Sequence, residues 1–280
     1  LWNKELLEQA GNEFDFLSWH IYQPEKEGWQ ESPNDFELFK SICAAPLDIK
    51  TYINRINDQI ERAGYSGKIF QALDEWNVWL PPKKGETSMH HVTYTMRDAL
   101  YVASTLAMLF RHSDSVKIAN LAQLVNVLPL IQTNEESAIA TAIFYPFILF
   151  SQMLGYPVKC VVTSPKFNSQ AMGPNITAHE GVDYLDCLAT IDPLKSKLVV
   201  LLVNRDPLHR MSVDFEGISP SSNQITTVTR MRAKNPLDEN TFEKPYRIKL
   251  EEIKKPKRTG SSVNLTMEPA SIYLLEFDIK

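Results

Sequence analysis

The sequence predicts a mixed fold, an α/β layer over residues 1–154 followed by an all-β, antiparallel unit over residues 155–280. Three observations carry this. As far as Leu154, strand-length apolar runs alternate with amphipathic helical patterns. After Gly155 the period changes, and short β-branched and aromatic runs follow one another between turns rich in Gly, Pro, Asn and Ser. The third is the stretch Lys68–Leu80 (KIFQALDEWNVWL), an extended apolar run that reaches a carboxylate, Glu75, before Pro81 and Pro82 stop it. A buried strand delivering an acid and aromatics to its C-terminal mouth is how barrel enzymes present a reacting group.

Taken in order, Leu1–Ala10 has apolar residues at helical spacing, and Gly11 is a natural stop. Phe14–Ile21 (FDFLSWHI) reads as a strand. Period two places Ser18, His20 and Tyr22 on one side and Leu17, Trp19 and Ile21 on the other. His20 and Tyr22 are either contacts for a polar ligand or a satisfied core histidine with a packing tyrosine. Residues 23–45 are polar and proline-punctuated, and predict surface loop with short helical turns. Asp48–Arg62 is a helix with Asp48 as cap, apolar positions at 49, 52, 53, 56 and 60, and Gly64 at its end. The Glu75 strand follows.

Strand, helix and strand of this length make a parallel crossover, so both strands end at one edge of the sheet. That brings His20 and Tyr22 to the same edge as Glu75 and Trp79, where ligands bind in barrels and open sheets alike. Met89-His90-His91 invites a metal assignment, but adjacent residues point apart and no Cys, Asp or Glu stands at ligand spacing, so no metal or cofactor is expected. Tyr94–Arg111 is a helix with Thr95 as cap and Asp98 at its third position. Val116–Asn126 is a short strand and turn in which Asn120 and Gln123 sit among apolar residues. Buried amides there would hold either a substrate hydroxyl or backbone. Thr133–Glu136 (TNEE) reads as a capping box before an apolar helix, Ser137–Leu154. Three strands are a poor core for helices this apolar, so the unit calls for more sheet than this chain supplies.

Beyond Gly155, strands are predicted over residues 156–163, 182–191, 196–204, 211–215, 224–231, 246–250, 262–267 and 271–278, an antiparallel sandwich or jelly roll. Lys197–Val203 (KLVVLLV) is its most continuous apolar strand and should lie centrally. His179, Glu180 and Asp183 are placed in a loop, and this half holds no catalytic cluster.

The totals narrow the function. In 280 residues the net charge is −5, which disfavours a nucleic-acid partner, and the basic run Lys254–Arg258 reads as a solvated turn. The three cysteines form no CxxC and suit small core residues in a reducing compartment. No apolar stretch is long enough to span a bilayer. The first residues do not form a signal peptide and look like the end of a helix. The sequons at Asn175 and Asn264 do not show secretion.

Several stretches together resemble the α-L-arabinofuranosidases of glycoside hydrolase family 51, whose members join a (β/α)8 barrel to a C-terminal β-sandwich. In the first half these are SWHIY (Ser18–Tyr22), DEWNVW (Asp74–Trp79), MHHVTYTMRDAL (Met89–Leu100) and VKIANLAQLVNVLPLIQT (Val116–Thr133). In the second they include DYLDCLAT (Asp183–Thr190), NPLDENTFEKP (Asn235–Pro245) and the closing LTMEPASIYLLEF (Leu265–Phe277). The resemblance implies a partial (β/α)8 TIM barrel, about the last three strands, over residues 1–154, followed by an antiparallel β-sandwich or jelly-roll domain over 155–280. It implies a retaining hydrolase that releases terminal α-L-arabinofuranosyl residues from arabinose-containing saccharides. Glu75 would be the nucleophile; His20, Tyr22, Trp79 and Gln123 would contact the sugar; Trp76 would serve as packing. A homo-oligomer and a cytoplasmic location also follow by resemblance.

A retaining glycosidase needs a second carboxylate, about 5–5.5 Å from the first. In the family this acid/base is the Glu of an Asn-Glu pair at the end of the fourth strand. Asn12-Glu13 here stands before the SWHIY strand instead, so the acid/base and the earlier barrel strands are expected outside this chain. The alternatives are an inactive sugar-binding or structural module, and a related endoglucanase or xylosidase.

Overall fold

The computed structural model describes residues 2–25, 34–82, 88, 90, 92–194, 196–216, 224–256, 258–259 and 262–279. Helix α1 (Trp2–Ala10) leads into strand β1 (Phe16–Tyr22), in which Leu17 and Ile21 are buried while Ser18 and His20 are exposed, the expected period of two. Two helices follow, α2 (Asp35–Ala44) and α3 (Pro46–Arg62). The first replaces part of the loop expected over 23–45. Asn34 caps it, its side chain accepting the Glu37 N–H at 2.9 Å. Its buried face includes Ser41, whose hydroxyl donates to the Gln170 carbonyl at 2.7 Å, and this polar member breaks the apolar periodicity. Helix α3 starts with Pro46 in its first turn, two residues before the expected cap. Asp48 instead accepts the Thr177 N–H and hydroxyl and lies 3.2 Å from His179 Nε2. Gly64, at φ +82°, ends the helix in the left-handed region that glycine adopts freely.

Strand β2 (Phe70–Asn77), helix α4 (Met96–Arg111) and strand β3 (Val116–Leu121) complete the first layer. Thr95 and Asp98 make the predicted capping box. The three strands form a parallel sheet in the order β1-β2-β3, so β2 is central. The long helix expected over 137–154 is not there. Strands β4 (Ile131–Thr133) and β5 (Ala138–Ala140) pair as a hairpin, and helix α5 spans only Phe144–Phe150. Asn134 decides this. Its Oδ1 accepts the backbone N–H groups of Glu136 and Ser137 at 3.0 and 2.8 Å, turning the chain back where a capping box would have continued it.

The second half comprises β6 (Tyr156–Val158), β7 (Lys166–Ser169), β8 (His179–Asp183), β9 (Leu185–Asp192) and β10 (Lys197–Asn204). It continues with β11 (Met211–Phe215), β12 (Gln224–Arg232), β13 (Lys249–Glu252), β14 (Arg258–Thr259), β15 (Ser262–Met267) and β16 (Ser271–Asp278). Gly155 enters it at φ +86°; a side chain there would run into the Ile191 carbonyl. A six-stranded sheet, β13-β12-β16-β10-β9-β6, is joined by a three-stranded one, β11-β15-β14, and β7 pairs with β8. Three expectations are corrected. Residues 182–191 are two strands, divided at Tyr184, whose N–H donates to the Pro165 carbonyl. His179, Glu180 and Asp183 lie on β8, not in a loop. The strand expected from residue 246 begins at Lys249. Of the basic run 254–258, Lys257 lies outside the described residues.

β10 sits between β16 and β9, and its continuous apolar sequence has a physical reason. Leu198, Val200 and Leu202 join the cluster inside the sandwich, while Val199, Leu201 and Val203 join the cluster that faces the helices. A strand buried on both faces reads as an unbroken apolar run. Each such side chain contributes roughly 1.5–3 kcal/mol by burial. The helix-facing cluster runs from Leu73 and Trp76 of β2 through the helices to Leu201, Ile272 and Leu274. Helix α4, which packs on β9, β10 and β16, bridges the layers.

Candidate functional site

The site lies at the C-terminal edge of the parallel sheet, where β1 and β2 end side by side. Register between them slips once: Trp19 faces Leu73, but His20 faces Glu75. Asp74 is therefore an extra residue in β2, a β-bulge, and bulges re-aim side chains. Without it Asp74 and Glu75 would point to opposite faces. With it, both meet residues of the face carrying Ser18, His20 and Tyr22. The Ser18 hydroxyl donates to Asp74 Oδ2 at 2.5 Å, the Tyr22 hydroxyl donates to Glu75 Oε2 at 2.8 Å, and His20 Nδ1 lies 3.6 Å from the same Glu75 oxygen. Trp76 turns the other way into the core, fully buried against Tyr101 and Phe147.

Asn77 holds the neighbouring segment in place. It is buried, and its Nδ2 donates to the carbonyls of Ala122 and Leu128 at 3.0 and 2.9 Å. The chain beyond β3 is thereby tied to the end of β2, which brings Gln123 beside Glu75. Trp79 is packed edge-on by Tyr22, with ring centroids 5.0 Å apart, and stacks on His90 at 5.5 Å. A cavity of about 210 Å³ results, lined by Tyr22, Glu75, Trp79, His90, Gln123 and the apolar Ala122, Val127 and Leu128.

Burial pushes the Tyr22 hydroxyl well above the ordinary tyrosine range, and the hydrogen bond to Glu75 and its negative charge push it further. Tyr22 therefore stays protonated and donates. Glu75 is about two-fifths exposed and remains reachable from solvent.

The residues singled out in the sequence thus fall in one place. Glu75, Tyr22, Trp79 and Gln123 line the cavity, and His20 stands against Glu75 beside it. Asn120 and Gln123, anticipated as buried amides, are both exposed. Sequence reasoning missed three participants: Asp74, whose bulge no periodicity announces; Asn77, in plain view after Glu75 and Trp76; and His90, weighed only as a metal ligand. Its neighbours Met89 and His91 lie outside the described residues. Asn12 and Glu13 precede β1, so they are at the opposite edge of the sheet, roughly 20 Å away along the strand.

Comparisons with known proteins agree in direction. The α-L-arabinofuranosidase C-terminal domain matches residues 74–271. The chain is 30% identical over 224 residues to an intracellular exo-α-(1→5)-L-arabinofuranosidase of Acetivibrio thermocellus, covering 73% of this chain and 41% of that protein. It is 28% identical over 219 residues to the corresponding enzyme 1 of Bacillus subtilis, with the same shares covered. Among solved structures, an α-L-arabinofuranosidase of Thermotoga maritima in complex with arabinose superposes with a TM-score of 0.81 at 27% identity, over 98% of this chain and 55% of that one. The chain thus spans about half the length of the relatives it matches.

Fold and sequence together place the chain in one family of proteins. The chain belongs to the α-L-arabinofuranosidase C-terminal domain family and corresponds to the C-terminal portion of the family 51 enzymes.

Proposed function

We propose that this chain is the C-terminal portion of a retaining α-L-arabinofuranosidase, which releases terminal α-L-arabinofuranosyl residues from arabinose-containing saccharides. The observation that carries the reading is the Tyr22–Glu75 hydrogen bond at the cavity. A hydroxyl that keeps its proton holds one oxygen of a strand-end carboxylate, and His20 flanks that same oxygen. Oε1 is left to attack the anomeric carbon as the bond to the leaving oxygen breaks, giving a glycosyl ester that water then hydrolyses. Trp79 walls the sugar subsite, and Gln123 offers an amide to its hydroxyls. The parallel sheet is read as the last three strands of an eightfold barrel, with residues 1–154 as barrel and 155–280 as sandwich.

The leaving oxygen must be protonated by a second carboxylate. Among the described residues, Glu75 is the only carboxylate lining the cavity. The acid/base is assigned to a barrel segment outside this chain, and no metal or other cofactor is required. The same relatives, named intracellular, support a cytoplasmic location.

The test is hydrolysis of an aryl α-L-arabinofuranoside. The 280-residue chain alone should give no appreciable turnover, while a polypeptide joining it to a complementary barrel half should be active. There Glu75→Gln should cost on the order of 10³-fold or more in kcat, and azide should rescue Glu75→Ala with a glycosyl azide of inverted configuration. Unchanged turnover in Glu75→Gln removes the proposed nucleophile. The lone cavity carboxylate also favours a second reading, an inactive sugar-binding module; arabinose binding without turnover in the joined polypeptide would establish it.

A further inference from the structure

Two of the three cysteines stand together, away from the saccharide cavity. Strand β6 pairs with β9 in a register that sets Val158 opposite Ala189. Cys160 lies two residues beyond that pair, just past the end of β6, and Cys187 two residues before it on β9. The two thiols stand close enough for each to shift the other's proton affinity, and the Cys160 S–H donates to the Val158 carbonyl at 3.7 Å. Both are half-buried against the sandwich cluster. Arg111 donates to the Cys187 carbonyl at 2.6 Å and also to the Asp186 carboxylate, so an ion pair stands beside the two thiols. The third thiol, Cys43, is fully buried among apolar residues.

We propose that Cys160 and Cys187 form a thiol–disulfide exchange site, which closes to an intramolecular disulfide on reaction with a small disulfide such as oxidised glutathione. Cys160 loses its proton and attacks one sulfur of the reagent. The reagent's S–S bond breaks and one glutathione leaves as a thiolate that takes up a proton. Cys187 then gives up its proton and attacks Cys160 Sγ, displacing the second glutathione as a thiol. Two protein thiols are oxidised and one disulfide is reduced.

The two roles differ because the environments differ. The neighbouring Cys187 pulls the Cys160 thiol down to about 7, with the Ala189 backbone and Arg111 acting the same way and burial and the Asp186 carboxylate opposing. The neighbouring Cys160, with burial, pushes Cys187 up. Cys160 is therefore the attacking sulfur and Cys187 the resolving one. Burial pushes Cys43 up to about 12, so it serves as an internal control.

The test uses the full chain with oxidised glutathione at pH 7 under argon. Two of the three thiols should disappear from a titration in denaturant, the intact mass should fall by two hydrogen atoms, and peptide mapping should recover the 160–187 link. Cys187→Ser should stop at one glutathione on Cys160. Cys160→Ser should leave Cys187 unreacted at this pH. Alkylation at pH 7 should be at least ~10-fold faster at Cys160 than at Cys43. Three free thiols after prolonged treatment, or a stable glutathione adduct on the unmutated chain, would overturn the proposal. Because the mapping is done on the unmutated chain, the result does not depend on either variant folding.

Discussion

Tyr22 is the residue on which the proposed chemistry turns. Its hydroxyl donates to Glu75 Oε2, and at the sheet edge that bond aims the carboxylate. In the joined polypeptide, Tyr22→Phe should lower kcat by about 10²-fold, the usual cost of removing one positioned donor. Stability should change by only about 1 kcal/mol, since a half-exposed hydrogen bond contributes little net. Steady-state kinetics beside a urea melt separates the two. A drop in stability large enough to account for the lost rate would make Tyr22 a structural residue. His20, Tyr22 and Glu75 were legible in the sequence because period two and a parallel crossover suffice to gather them. The hydrogen bond between Tyr22 and Glu75 was not, because it depends on the bulged Asp74, an irregularity that leaves no mark on hydrophobic pattern.

Among elements, β10 makes the sharpest prediction. Leu201 and Leu202 are adjacent, both buried, and belong to different cores. On an ordinary half-exposed strand one of two neighbours would tolerate truncation. Here Leu201→Ala and Leu202→Ala should each cost about 2–5 kcal/mol, measured by denaturant unfolding; a cost under 1 kcal/mol for either would mean that one face of the strand is wet. The apolar run of β10 was readable for the reason that makes it sensitive: burial on two faces erases alternation. The elements misread were those in which side chains override pattern. In α2 a buried serine interrupts the apolar stripe. At β4–β5, Asn134 accepts two backbone N–H groups and makes a hairpin from a sequence that otherwise has the spacing of a capped helix. Polar side chains bonding locally to backbone are the main competitor to periodicity.

At the scale of the whole molecule, the change in sequence period at Gly155 is not a change of core. One apolar cluster takes residues from β2, from α2 to α5, and from the outward face of the six-stranded sheet. Gln23 adds polar ties, donating to the Ala45 and Asn175 carbonyls and accepting from Tyr101. The layers should therefore unfold together. All five tryptophans lie at or before position 79, so their fluorescence reports the first half, while hydrogen exchange in β10 and β16 reports the second. Both should give one midpoint in urea. Two midpoints would mean separable domains.

The seam has a consequence for descent. A recombination breakpoint at Gly155 falls where the sequence looks most divisible, yet it would strip apolar cover from the helices and from one face of the sheet at once. The two halves are expected to be inherited as a pair, with substitutions along α4 answered by substitutions on β10 and β16. A swap of the second half between relatives should succeed only when α4 travels with it.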